Sequence, residues 1–241
     1  MQTVSCGTLL DLWEGGRSSL PSTRALLLLR GLDAGEPASW SMGYRDAALL
    51  RLREVLFGGR LDCVTRCPHC GARLETALTI ADFEAGMPEE AEPPQSEIES
   101  HGYRVRFRCL AAGEAARIET VGDVSAIMEA ILSACVIEAA AGDALVPAAA
   151  LPAAVVADLS AAMADADPFA RATIAFTCPD CADGWSDALD VPDFLWREID
   201  GWALRTMADV HALASAYGWS EQECLAVPPH RRALYLAMVR P

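Results

Sequence analysis

Two short runs, Cys67-Pro68-His69-Cys70-Gly71 and Cys178-Pro179-Asp180-Cys181, constrain this chain more than anything else in it. Each is a C-P-x-C knuckle, a tight turn that aims two sulfurs at one point, and the proline after the first cysteine helps to fix the turn. One knuckle supplies two thiolates, half of what a tetrahedral structural zinc takes, and the second supplies the rest. Strand-like runs flank both. Leu61 to Arg66 precedes the first and Arg73 to Ile80 follows it; Ala172 to Thr177 precedes the second and Trp185 to Val191 follows it. Strand, knuckle, strand, twice over, is the pattern of a zinc ribbon split by an insertion of more than a hundred residues. Closing a loop of that length costs about 4 kcal/mol. A four-thiolate zinc site is worth about 10–16 kcal/mol apparent at neutral pH, so one ion suffices to hold the halves together. The expected ligands are Cys67, Cys70, Cys178 and Cys181, with structural Zn2+ as the cofactor. Cys63 and His69 are close enough in sequence to substitute, and Trp185 is placed to cover the site.

The remaining cysteines, Cys6, Cys63, Cys109, Cys135 and Cys224, are scattered and read as buried small hydrophobes. Nine cysteines suit a disulfide framework only in a short secreted chain; four of them paired as C-x-x-C read as metal ligands in a reducing cytosol. The start of the chain, Met1 to Cys6, lacks a basic region followed by an apolar stretch, so no signal peptide is expected. Ala25 to Leu29 is apolar but bounded by Arg24 and Arg30, too short to span a membrane. The expected location is therefore the cytoplasm. With 241 residues, 52% of them hydrophobic, the chain can bury a core in one or two domains. Its formal charge of −15 repels phosphate, which argues against gripping nucleic-acid backbone as a main task.

The organisation predicted is α+β and mainly helical, with a split four-cysteine zinc ribbon, an inserted α/β subdomain and a C-terminal three-helix tail. An N-terminal helical region covers 1–60, with helices from Thr8 to Glu14, Thr23 to Arg30 and Tyr44 to Phe57. The last turns Ala48, Leu49, Leu52, Val55 and Leu56 inward and leaves Arg45, Arg51, Arg53 and Glu54 mostly off that face. The first ribbon half is 61–81. Residues 82–100, acidic and proline-rich, read as an extended, mobile linker. The inserted subdomain is 101–171. In it Tyr103, Val105 and Phe107 alternate with Arg104, Arg106 and Arg108 on a strand whose arginine face is salt-bridged, with the acidic linker as neighbour. Helices follow from Gly113 to Thr120, from Asp123 to about Ala140, with Ile127, Ile131, Leu132, Cys135 and Val136 inward, and from Pro152 to about Met163. The second ribbon half is 172–191, and the C-terminal helices are 192–241: one to about Tyr217 with Leu195, Ile199, Trp202, Val210, Leu213 and Tyr217 on its seam, one opened by the capping box Ser220 to Glu223, and one from His230 to Val239.

Catalytic signals are thin, and no catalytic residue is expected. Four cysteines fill a metal shell and leave no position for water. A redox dithiol wants its knuckle at a helix N-terminus, whereas these are flanked by strands. Glu198, Asp209 and His211 share the long helix without metal-ligand spacing, and His211 reads as a hydrogen-bonded packing residue. No phosphate-binding loop, dinucleotide fingerprint or nucleophile elbow is present. A zinc-ribbon nucleic-acid or regulatory adaptor using the C-terminal helices is the alternative. Arg231, Arg232 and Arg240 would supply its charge, but Glu221 and Glu223 on the short helix after Gly218 disfavour it.

The run Gly43 to Gly58, followed by Cys67-Pro68-His69-Cys70-Gly71, resembles proteins encoded with contractile phage tails and phage-tail-like injection systems. The second half agrees, through Cys178 to Cys181, Phe194 to Ile199, Asp209-Val210-His211, Tyr217 to Glu221, Arg231-Arg232 and Tyr235-Leu236. Together these resemble the baseplate hub assembly proteins of T-even-type contractile-tail phages. The second knuckle departs from the usual C-P-x-C-G by having Ala182 after Cys181, which alters the turn but removes no ligand. The resemblance implies a non-enzymatic assembly factor, a chaperone or minor component that binds baseplate hub, spike or tape-measure proteins. It would act without membrane or nucleic acid, in the cytoplasm or carried into the tail particle.

Overall fold

Ser5, not Thr8, opens the first helix: its hydroxyl accepts from the Thr8 N–H and caps α1 (Cys6–Gly16). The computed structural model describes residues 4–32 and 35–239 of an α+β chain. Helix α2 (Pro21–Gly31) starts on proline, whose missing N–H costs nothing at a first turn. Helix α3 (Met42–Phe57) is capped by Ser41 and ended by Gly58 at φ +88°. Strands β1 (Arg60–Arg66) and β2 (Arg73–Thr79) form an antiparallel hairpin, and a single turn, α4 (Ala81–Glu84), follows. Strands β3 (Gln95–Ser100) and β4 (Tyr103–Arg108), helices α5 (Ala112–Ile118) and α6 (Val124–Cys135), strands β5 (Val136–Ala141) and β6 (Ala144–Leu145), and helix α7 (Ala153–Ala166) come next. A second hairpin pairs β7 (Thr173–Thr177) with β8 (Gly184–Ala188). Helices α8 (Val191–Tyr217), α9 (Glu221–Ala226) and α10 (Pro229–Val239) complete the chain.

Residues 20–193 form one compact unit. Its sheet runs β3-β4-β5-β6, all antiparallel, and α7 lies on it. Val105 and Phe107 from the strand pack with Ala139, Leu151, Val155 and Leu159, so the alternation read from β4 sets the core face. The opposite face is ionic, as expected. Arg104 lies across from Glu99 and Arg106 from Glu97; Arg106 also approaches Glu138 at 4.0 Å, and Arg108 forks onto Glu114 at 2.5 and 2.8 Å.

The structure corrects three expectations here. The acidic 82–100 stretch is no free linker: 95–100 is strand β3, and its neighbour is pinned by Ser41 N–H donating to the Ala91 carbonyl and Cys109 N–H donating to that of Pro94. Helix α6 ends at Cys135 rather than near Ala140, because β-branched Val136 and Ile137 enter the sheet against β4. On α3, Arg45 and Arg53 are buried while Val55 is exposed. Arg45 donates to the Asp46 carboxylate at 2.7 Å, and Arg53 to the Gly58 carbonyl that ends the helix.

Residues 1–19 and 194–241 form the other unit. Here α1, read from sequence with the helices that follow it, gathers with the C-terminal three instead. The Trp13 indole donates to Asp200 at 2.8 Å, and Trp196 packs so close to Gly16 that a Cβ there would lie 2.5 Å from its ring. Leu213, Cys224 and Leu236 form the core between α8, α9 and α10, sealed by Tyr217, Trp219 and Tyr235 in mutual ring contact. The box on α9 forms as read: Ser220 Oγ accepts from Glu223 N–H and the Glu223 carboxylate accepts from Ser220 N–H.

Candidate metal centre

Both knuckles fold by the same local rule. In the first, the Cys67 carbonyl accepts from the Gly71 N–H at 2.9 Å and the Cys67 N–H donates to the Ala72 carbonyl at 2.9 Å. In the second, the Cys178 carbonyl accepts from the Ala182 N–H at 2.9 Å and the Cys178 N–H donates to the Asp183 carbonyl at 2.8 Å. Each ladder thus closes at the first cysteine and leaves the second at the tip of a tight turn. The turn needs a left-handed residue just after that tip: Gly71 takes φ +75° and Ala182 takes φ +61°. The departure from glycine at position 182 therefore leaves the turn intact, contrary to expectation, and puts the strain into one alanine.

The hairpins bring the two tips together. Cys67 Sγ lies 3.7 Å from Cys181 Sγ and Cys70 Sγ lies 3.6 Å from Cys178 Sγ, and all four sulfurs fall within 4.8 Å of one another. These spacings are far longer than the about 2.05 Å of a disulfide. They match the edges of a tetrahedron, since four sulfurs about 2.3 Å from one ion sit about 3.8 Å apart. Cys67 and Cys178 are buried, while Cys70 and Cys181 are open to solvent. The hairpins are further tied by Thr65 Oγ1, which donates to Asp187 Oδ2 at 3.1 Å; the Trp185 indole donates to the same oxygen at 3.0 Å. Trp185 also stacks on its cross-strand partner Phe176, ring centroids 5.3 Å apart.

The electrostatics suit a cation. Burial raises the Cys67 thiol, but the N–H groups of Cys70 and His69 and the neighbouring thiols of Cys181 and Cys70 outweigh it and bring the pKa down to about 7. At Cys181 the Asp183 N–H works toward the thiolate, yet burial and the thiols of Cys178, Cys70 and Cys67 push the group up to about 12. Cys70 is raised as well: the Ala72 N–H lowers it, and the Cys178 side chain and burial overcome that. Cys67 is thus the readiest to become a thiolate, while the neighbouring thiols and burial hold the protons on Cys70 and Cys181. A bound dication reverses that balance and displaces the protons. Four thiolates at tetrahedral spacing fit a single ion of the soft or borderline class.

Comparison of the chain with family models, with curated proteins and with solved structures returned no match. All four cysteines named from the sequence meet, and neither Cys63 nor His69 joins the group. Neither knuckle opens a helix, the setting that activates a redox dithiol. Among the described residues, no metal-holding group includes Glu198, Asp209 or His211, and His211 is exposed rather than packed. Of the three arginines read as local charge on the tail, Arg232 is buried and donates to the Leu225 and Val227 carbonyls at 3.1 and 3.2 Å, closing the end of α9; Arg240 lies outside the described residues. Among the described residues, no helix is long and apolar enough to cross a membrane.

What the sequence missed lies on α3. Asp46 and Asp167 are buried, and Asp167 Oδ2 accepts from the Gly43 N–H at 3.0 Å. Gly43 must be glycine, since a Cβ there would fall 2.0 Å from Asp167 Oδ1. Asp167, which ends α7, is thus also an acceptor for the first turn of α3.

Proposed function

We propose that the chain is a non-enzymatic assembly factor, stapled by one zinc ion, that acts by protein–protein binding. In this reading the two hairpins are the halves of a split zinc ribbon, and β3 to α7 is the subdomain inserted between them. The observation that carries it is the convergence of Cys67, Cys70, Cys178 and Cys181, contributed by distant parts of the sequence, at tetrahedral spacing. Four protein sulfurs occupy every position of a tetrahedral ion, which favours a structural role over Lewis-acid chemistry. Zinc is the ion this donor set and geometry suit best in a reducing compartment.

The motifs from Gly43 to Gly58, at both knuckles and along the C-terminal helices point to a destination, the baseplate hub of a contractile phage tail or phage-tail-like injection system. The partners are then hub, spike or tape-measure proteins, met in the cytoplasm during assembly. The acidic surface fits a holder that stays off nucleic acid.

Two experiments test the reading. Purified protein should carry one zinc per chain, and Cys178→Ser should lower zinc content and destabilise the fold by several kcal/mol; unchanged zinc and unchanged thermal stability would contradict the staple. Tagged protein from its own producing cell should bring down hub, spike or tape-measure components, and recovery of none would contradict the assembly role.

A further inference from the structure

Helix α6, Val124-Ser125-Ala126-Ile127-Met128-Glu129-Ala130-Ile131-Leu132-Ser133-Ala134-Cys135, is apolar except at two serines and one glutamate. A helix of that composition is normally enclosed. Here Cys135 is its one fully buried residue, and Leu132 is half-buried against the sheet core. Val124 is 74% exposed and Met128 42%, and Ile127 and Ile131 are half-buried beside them. The four fall at i, i+3, i+4 and i+7, a continuous apolar stripe along the helix, of the kind that receives a partner helix.

Charge decides the occupant. Residues 20–193 hold twenty-seven carboxylates to thirteen arginines, and the other unit holds seven to six, so nearly all of the net −15 belongs to the unit that carries α6. On the helix itself the only ionisable groups besides the Cys135 thiol are acidic: Asp123, which caps it, and Glu129. A second copy would bring up a unit of the same strongly negative net charge and be repelled. We infer that the Val124–Ile131 stripe of α6 is the docking surface for a cationic amphipathic helix of a partner protein, apolar on one side and Lys/Arg-rich on the flanks. The inference rests on the assembly-factor reading and names the chemistry of its partner.

The test uses the full zinc-loaded chain and fluorescence anisotropy. The probe is a labelled Leu/Lys amphipathic helical peptide; a Leu/Glu peptide of the same pattern and a Lys peptide with its leucines scrambled are the controls. The Leu/Lys peptide should bind saturably, the V124S/M128S double variant should weaken it by about tenfold or more, and Val64→Ser, an equally exposed apolar site on β1, should leave it unchanged. Neither control peptide should bind comparably. Equal affinity of the variant and the parent chain, or equal binding of the Leu/Glu peptide, would overturn the proposal. So would a parent dimer in sedimentation that V124S/M128S dissociates, since that assigns the face to a second copy. The double variant also separates this inference from the reading beneath it. Tail components that still co-purify with V124S/M128S would sink the docking surface and spare the assembly role. Peptide binding that depends on the stripe, with no tail component recovered, would do the reverse.

Discussion

Ala182 holds a backbone conformation that glycine holds at the matching position of the other knuckle, φ +61° against +75°. A Cβ in the left-handed region costs about 1–2 kcal/mol. Ala182→Gly should therefore stabilise the protein by about 1 kcal/mol in chemical denaturation, with zinc content unchanged, and Gly71→Ala should destabilise it by a similar amount. Asp46 makes a second residue-scale prediction. Burial raises its pKa to about 6 in spite of Arg45 beside it, and Asp190 and Asp167 push the same way. An aspartate free in the unfolded chain titrates near 3.9, so between about pH 4 and pH 6 the native state holds the extra proton. The contribution of Asp46 is then fully present below pH 4 and is lost as the pH rises through 6, by about 3 kcal/mol, the reverse of a salt-bridged carboxylate. Denaturation midpoints measured across that window should fall with pH for the parent chain relative to Asp46→Asn. A parallel pair of curves would contradict the assignment.

At the scale of elements, the first turn of α3 is seated on the Asp167 carboxylate with no room for a side chain at Gly43. Gly43→Ala should displace that turn from the 167–171 segment and cost about 3 kcal/mol, read as a lower denaturation midpoint. The helices that carry their own caps and stops were legible in the sequence: Asp123 before α6, Ser220 before α9, Gly58 and Gly218 after α3 and α8. So were the hairpin strands and the four cysteines that meet, because knuckle spacing is a local signal. What stayed hidden is non-local. Residues 95–100 look disordered by composition and become a strand only because Arg104 and Arg106 lie across from Glu99 and Glu97. Val136 to Ala141 continue an apolar run that suits helix or strand, and pairing with β4 decides. Arg45 falls off the apolar face of α3 by periodicity, yet it is buried beside its sequence neighbour Asp46, a pairing that helical spacing does not signal.

For the whole molecule, two of the interaction sets within the 20–193 unit bear on the cysteine cluster. One is the apolar core between α7 and the four-stranded sheet. The other is the meeting of two hairpins separated by the entire length of that subdomain, where Thr65–Asp187 is a direct side-chain link besides the sulfurs. A single hydrogen bond between exposed groups contributes about 1 kcal/mol, too little to offset the about 4 kcal/mol of loop closure. Metal removal by a chelator should therefore loosen the hairpins before it unfolds the sheet, giving early amide exchange in β1, β2, β7 and β8 and later exchange in β4 and β5; simultaneous exchange throughout would show that the ion supports the whole unit at once. The most direct measurement is X-ray absorption at the zinc edge on protein purified without added metal. One zinc per chain with four sulfurs at about 2.3 Å is the result predicted. A protein free of zinc yet fully folded, or an ion with fewer than four sulfur neighbours, would contradict the shared site on which the rest is built.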